Sequence, residues 1–295
     1  MLQGLNASVG SSAPAGHAPV QLQTRPLKDN FGVEILDVDV TTADAATLAE
    51  VVATFHRHGA IVLRDQNLSP ADQVAFTALF GEPEDNVRKE FVIEEEPKVY
   101  IISNKVVNGR VIGEMAAGIG WHTDLAYSPR PALCTILHAR EVPAEGSDTL
   151  LADLCAAWEE LPEERKRDID GRRVHHSFID SMRKRGLSVT PEQRAAMIDV
   201  FHPIVRRHAA DGRKSLWLSS LISGISGMEE PEAQVLMKEL LDFATQEKFI
   251  YRHEWKVGDI LVWDDRCTLH TGTKFDTEKY IRLVHRTWVR GEVPL

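Results

Sequence analysis

Apolar residues along the chain recur at two periods, and the switches between them predict the order of elements. Residues 31–40 alternate loosely, as a half-buried strand does. Residues 42–58 carry Leu48, Val51, Val52 and Phe55 at helical spacing, and Gly59 ends that run. Ala60-Ile61-Val62-Leu63 is an unbroken apolar run and reads as a buried strand. A second helix opens at Ser69-Pro70, with Ser69 as N-cap and Pro70 at the first helical position. Its apolar face is Val74, Phe76, Leu79 and Phe80, and Gly81 closes it. Residues 99–103, 134–138, 249–253, 260–263 and 280–289 read as strands, and 156–169 and 232–245 as helices by period. Residues 110–120, with Gly113, Gly118 and Gly120, read as a mobile loop and a candidate lid. No internal repeat or linker interrupts residues 21–295, which are expected to form one domain. The class is mainly β with helices, and strands at both ends of the core suit a sheet sandwich or barrel.

Composition narrows the partners. About 43% of the 295 residues are hydrophobic, enough for a sizeable core, and no run nears the roughly 18 apolar residues of a membrane helix. The formal charge of -10 disfavours nucleic acid or an anionic membrane surface as partner. It leaves room for an anionic small molecule, because local arginines outweigh the overall field. Cys134, Cys155 and Cys267 lack CxxC spacing and read as buried free thiols. Residues 1–20 are rich in Ala, Gly and Ser and hold no Lys or Arg. They read as a disordered tail rather than a secretory signal, which makes the expected location cytoplasmic.

The candidate chemistry lies at His122-Thr123-Asp124 and, far downstream, at His270, Arg282 and Arg286. Two imidazoles and a carboxylate are the ligand set of a non-haem Fe(II) oxygenase, with coordination positions left open for reactants. In a strand, His122 and Asp124 would share a face, roughly 6.5 Å apart at the backbone. Alone, a His-x-Asp arises by chance about once in such a chain, and a hydrogen-bonded structural histidine explains His122 as well. Arg282, Val284, Arg286 and Trp288 share one strand face, which puts the two arginine stems roughly 13 Å apart. That spacing lets them serve two different anions, since a guanidinium fork matches a carboxylate. A solvated sheet edge is the alternative for the arginines taken alone. His175-His176 diverge to opposite strand faces and chelate nothing, and His285 points away from the arginines' face. Glu94-Glu95-Glu96 reads as a solvated loop. Tyr127, Trp217 and Trp288 either line the cavity or pack in the core.

Taken together, Trp121-His122-Thr123-Asp124, the segment Glu141-Val142-Pro143-Ala144-Glu145-Gly146-Ser147-Asp148-Thr149, and Trp263-Asp264-Asp265-Arg266 followed by His270, Arg282 and Arg286 closely resemble the taurine dioxygenase and 2,4-dichlorophenoxyacetate dioxygenase family. The resemblance covers roughly residues 25–292. Residues 244–259 and 208–214 are similar to the dichlorophenoxyacetate branch in particular. The taurine branch carries a His and a Tyr after Phe-Gly-Glu, whereas Phe80-Gly81-Glu82 here runs into Pro83-Glu84-Asp85.

The resemblance implies a double-stranded β-helix, or jelly roll, and an Fe(II)- and 2-oxoglutarate-dependent dioxygenase that uses O2 and releases succinate and CO2. It implies His122, Asp124 and His270 as iron ligands. Arg282 and Thr149 would hold the far carboxylate of 2-oxoglutarate, and Arg286 the acidic head of an aryloxyalkanoate-like substrate. The runner-up is an alkylsulfonate or alkyl sulfate dioxygenase. The rival from another class is a cupin-like metal-binding protein without oxygenase activity. Family members often form homo-oligomers, which is the expectation here.

Overall fold

The computed structural model describes residues 20–115, 118–208 and 211–294. Apart from Val20, the tail expected over residues 1–20 lies outside the described residues. An eight-stranded sheet dominates. Its order is Thr24–Lys28, Phe31–Ile35, Ala60–Leu63, Ile260–Asp264, Ala132–Glu141, Leu283–Arg290, Glu96–Ser103 and Val92–Ile93. Neighbours pair antiparallel except Phe31–Ile35 with Ala60–Leu63, which is parallel. A parallel pair needs a crossover, and the helix Ala45–His58 supplies it. Asp44 caps that helix by accepting from the Thr47 N–H, and Gly59 ends it at φ 73, a conformation open to glycine. The helix Pro70–Ala78 opens with a reciprocal Ser69–Asp72 capping box.

A smaller sheet runs Ile250–His253, Thr149–Asp153, Thr268–Gly272. Strand alternation decides what faces what. Ile260 and Val262 join Val51, Phe55, Phe76, Cys134, Ile136 and Val289 in the cluster beneath the two N-terminal helices. Leu261 and Trp263 turn the other way, into a cluster with Tyr100, Leu137, Val284 and Leu151 of the smaller sheet. Behind the smaller sheet, Ala152 and Leu269 pack with Leu236, Met237 and Leu240 of the helix Glu230–Ala244. The layers are helices, large sheet, small sheet and helix, and the inward positions of both sheets face a shared interior. Each large apolar side chain so buried contributes about 1.5–3 kcal/mol.

Several boundaries differ from the expectation for identifiable reasons. The single helix expected over 156–169 is two, Leu154–Glu160 and Glu163–Ile169. Leu161 precedes Pro162 and is extended, as a residue before proline prefers. The first strand stops at Ile35. The last starts at Leu283, because the Asn104 side chain takes the Arg282 N–H and donates to the Thr277 and Tyr280 carbonyls instead. All three cysteines are buried and free, as expected. Among the described residues, no helix is long and apolar enough to cross a membrane.

Buried neutral histidines give the fold a pH dependence. Burial pushes His138 down to about 4, His176 to about 3 and His202 to about 4. His176 Nε2 accepts from Trp217 Nε1 at 2.9 Å, a bond its protonation would abolish. An unfolded chain takes up protons near pH ~6.5, well above the folded values, so stability is lost as pH falls from about 6.5 toward about 4. Calorimetry from about pH 7 to about pH 5 is expected to show a steadily falling Tm. A Tm constant over that range would contradict this reading.

Candidate active site

His122 and His270 face each other in an isolated antiparallel bridge. The His122 N–H donates to the His270 carbonyl at 3.0 Å, and the reverse bond is 2.9 Å. This pairing sets the two rings side by side, with centroids 4.2 Å apart. The strand expected over 122–124 does not form. The chain turns after Asp124, with Leu125 at φ 53, and the turn brings the carboxylate to the rings. His122 Nε2 lies 3.6 Å from Asp124 Oδ1, and His270 Nε2 lies 3.8 Å from Oδ2. All three donor atoms fall within 4.8 Å of one another, a spacing that suits an ion with ligand bonds of about 2.1 Å.

The protonation pattern fits a divalent metal. His122 Nδ1 sits 2.6 Å from the Gly120 carbonyl and must donate to it, which leaves Nε2 as the ring atom turned toward Asp124. Burial, then the His122 ring, push His270 down to about 3, so its imidazole is neutral near pH 7. Burial works against an ionised Asp124. The Arg286 charge and the two imidazoles outweigh it and hold this carboxyl well below the usual range.

Asp124 is also clamped from behind. Its Oδ2 accepts from Trp288 Nε1 and from Thr135 Oγ1, both at 2.8 Å. Thr135 Oγ1 lies 2.6 Å from Asp265 Oδ2 as well. One hydroxyl proton cannot serve two carboxylates. Burial, then the Asp124 charge, push the Asp265 carboxyl well above its usual range, so Asp265 carries the second proton. The chain of donors runs Asp265 to Thr135 to Asp124. Sequence reasoning missed Thr135 and Asp265 as neighbours of this centre.

Two chambers meet at Asp124 and Arg286. The inner one is lined by His270, Thr149, Trp263 and Arg282, among others. Among the described residues no carboxylate lies within ion-pair distance of the Arg282 guanidinium, and its Nε is buried without a partner. Burial pushes Arg282 down to about 10, still charged near pH 7. Thr149 Oγ1 accepts from Trp255 Nε1 at 3.1 Å, which leaves its own proton to donate.

The outer chamber is lined by Tyr127, Phe178, Met182 and Leu221, with Arg286 at its inner end. Arg286 lies against two rings, 3.8 Å from the Trp288 centroid and 4.7 Å from that of Tyr100. The far wall is charged: Glu114 accepts from Tyr100 at 2.5 Å and pairs with Arg88 at 2.9 Å and Arg185 at 3.3 Å. A buried glutamate in the Gly-rich segment carried no sequence signal, because its partners come from three distant stretches.

The remaining candidates fall on either side of this boundary. Tyr127 and Trp288 line the outer chamber, whereas Trp217 is fully buried behind His176. His175 and His176 diverge as expected, and His285 lies on the far side of its strand from the arginines. A second cluster, His208, Asp264 and Cys267, has its carboxylate already gripped by Arg266 at 2.8 and 2.6 Å and by His208 at 2.9 Å. It is a closed ion-pair network that holds the turn leading to His270.

Comparison with known proteins gives the family. Residues 23–288 match the family model described as "Taurine catabolism dioxygenase TauD, TfdA family". The chain is 33% identical to the alpha-ketoglutarate-dependent 2,4-dichlorophenoxyacetate dioxygenase of Cupriavidus pinatubonensis (strain JMP 134), covering 85% of this chain and 92% of that protein. It is 29% identical to the alpha-ketoglutarate-dependent sulfate ester dioxygenase of Pseudomonas putida, over 96% of this chain and 94% of that one. The crystal structure of AAD-2 in complex with Mn(II) and N-oxalylglycine superposes with a TM-score of 0.79 at 29% identity, over 93% of this chain and 99% of that chain. The chain belongs to the TauD/TfdA family of dioxygenases.

Proposed function

We propose that this chain is an Fe(II)- and 2-oxoglutarate-dependent dioxygenase that hydroxylates a small aryloxyalkanoate-like carboxylate. His122, Asp124 and His270 hold the iron. Arg282 and Thr149 hold the far carboxylate of 2-oxoglutarate, and Arg286 holds the acidic head of the substrate. The two facing sheets are taken as a double-stranded β-helix, with residues 21–295 as one catalytic domain. The observation that carries the reading is Arg282: a guanidinium without a counter-ion among the described residues, in a chamber that also holds His270 and Asp124. A half-buried guanidinium whose Nε is enclosed without a partner is costly, and a dianionic cosubstrate offsets that cost. A cupin-like metal-binding protein would have no use for it.

When bound, iron and 2-oxoglutarate supply oxygen activation, with the keto acid converted to succinate and CO2. The protein's own residues do the placing. His122, neutral His270 and ionised Asp124 present three donor atoms on one side and leave the other side open. Arg282 and Thr149 fix one end of the cosubstrate. Arg286 holds the substrate head between the two chambers, so that the carbon next to that head lies nearest the metal side. Tyr127, Phe178 and Met182 cover the substrate body and exclude water.

A second reading, a sulfate ester or alkylsulfonate dioxygenase, is favoured by the Pseudomonas putida relative, and Arg286 would serve a sulfate head equally well. Supplied aerobically with Fe(II) and 2-oxoglutarate, the protein is expected to form succinate and a phenol when given phenoxyacetates. Sulfate or aldehyde release from alkyl sulfates alone would move the assignment to the second reading, and no substrate-dependent succinate from either class would overturn both. Replacing Arg282→Met should raise the KM for 2-oxoglutarate by roughly 30-fold to several thousand-fold, the equivalent of about 2–5 kcal/mol. The same substitution should raise the Tm of the metal-free protein, because an uncompensated charge is gone. A lower Tm with an unchanged KM would contradict the assigned role.

A further inference from the structure

Trp288 touches both halves of the centre at once. Its indole N–H donates to Asp124 Oδ2, and its ring face lies 3.8 Å from the Arg286 guanidinium carbon. Thr135, the other donor to the same oxygen, is the cross-strand partner of Trp288 on the neighbouring strand Ala132–Glu141. Two opposed sheet positions therefore occupy Oδ2 and leave Oδ1 turned toward His122 Nε2. Arg286 Nη1 is only 3.9 Å from that same Oδ1. A movement of about 1 Å would make a direct charge-assisted bond there and cover the ligand oxygen. Tyr100 stacks on Trp288, with centroids 6.3 Å apart and planes at 22°, and is the cross-strand partner of Arg286. Its hydroxyl is tied to Glu114, which fixes the far side of the shelf.

We propose that Trp288 is a positioning residue with two separable actions. Its N–H orients Asp124 so that one oxygen faces the metal, and its ring holds Arg286 off that oxygen and over the outer chamber. This rests on the reading of His122, Asp124 and His270 as metal ligands. Without the ring, Arg286 collapses onto Asp124 and competes with the metal for Oδ1. The side chain at position 288 thus sets metal affinity through the residue assigned to substrate binding.

The test is the Kd for Mn(II) alone, measured by electron paramagnetic resonance on the metal-free full chain, with a thermal melt as the folding control. Thr135→Val and Trp288→Phe each remove one donor to Asp124 and should weaken Mn(II) binding about 10- to 100-fold. Trp288→Leu should weaken it further. Arg286→Gln should restore binding at least about 10-fold more in the Trp288→Leu background than in the wild type, a coupling that simple loss of packing does not produce. Wild-type affinity in Trp288→Phe would overturn the orienting role of the N–H. Equal effects of Arg286→Gln in both backgrounds would overturn the holding role of the ring. If Trp288→Leu does not fold, Trp288→Met, which also lacks the ring but fills more of its volume, forms the same cycle with Arg286→Gln, and additivity there overturns the ring's role. A wild-type protein that takes up no Mn(II) would instead remove the ligand reading beneath both.

Discussion

Two backbone hydrogen bonds between His122 and His270 hold the centre together. They join stretches 148 positions apart (270 minus 122) and set two imidazoles side by side at the rim of the smaller sheet. His270 is positioned because Thr268–Gly272 is a paired strand, and His122 because it docks on that strand. The bridge costs little backbone freedom beyond what the sheet already fixes. It also frees the following residues to turn, so Asp124 completes the group from a direction a continuing strand would not allow.

Electrostatics then sorts the neighbouring groups into roles. Asp124, Asp265 and Arg286 lie buried at the centre, and Arg282 lies half-buried in the inner chamber. Two buried carboxylates bridged by one hydroxyl cannot both ionise, so Asp265 holds a proton and Asp124 does not. Arg286 neutralises part of the Asp124 charge from across the centre. Among the described residues Arg282 has no such partner, and this imbalance is what the proposed anion-binding role rests on. The His208–Asp264–Arg266 network a few residues away is the contrasting case. Its charges and donors pair internally, and its work is to hold the turn.

Much of this was legible in the sequence because it depends on local period. The cap at Ser69, the runs Ala60–Leu63 and Ile260–Asp264, and the helix Glu230–Ala244 follow from residue type and spacing. The family motifs named the six residues that the fold gathers around the two chambers. Contacts between distant stretches were not legible. Nothing in the spacing of Thr135, Asp265 or Glu114 marks them as neighbours of the centre, since each acts through partners on other elements. Trp288 is intermediate: its period-two offset from Arg286 put it on the correct face, but only the packed structure reveals its bond to Asp124. The strand expected at His122–Asp124 failed for a related reason, because one bridge and a turn satisfy the backbone there.

The proposed function requires side chains from separate stretches to converge on one metal ion beside a guanidinium that grips a keto-diacid. A crystal grown with Mn(II) and 2-oxoglutarate without oxygen, with anomalous data at the manganese edge, tests it most directly. The expected result is a single strong peak bonded to His122 Nε2, Asp124 Oδ1 and His270 Nε2, with the far carboxylate of 2-oxoglutarate on Arg282 and Thr149. A metal bound elsewhere, or a cosubstrate that leaves Arg282 untouched, would contradict it.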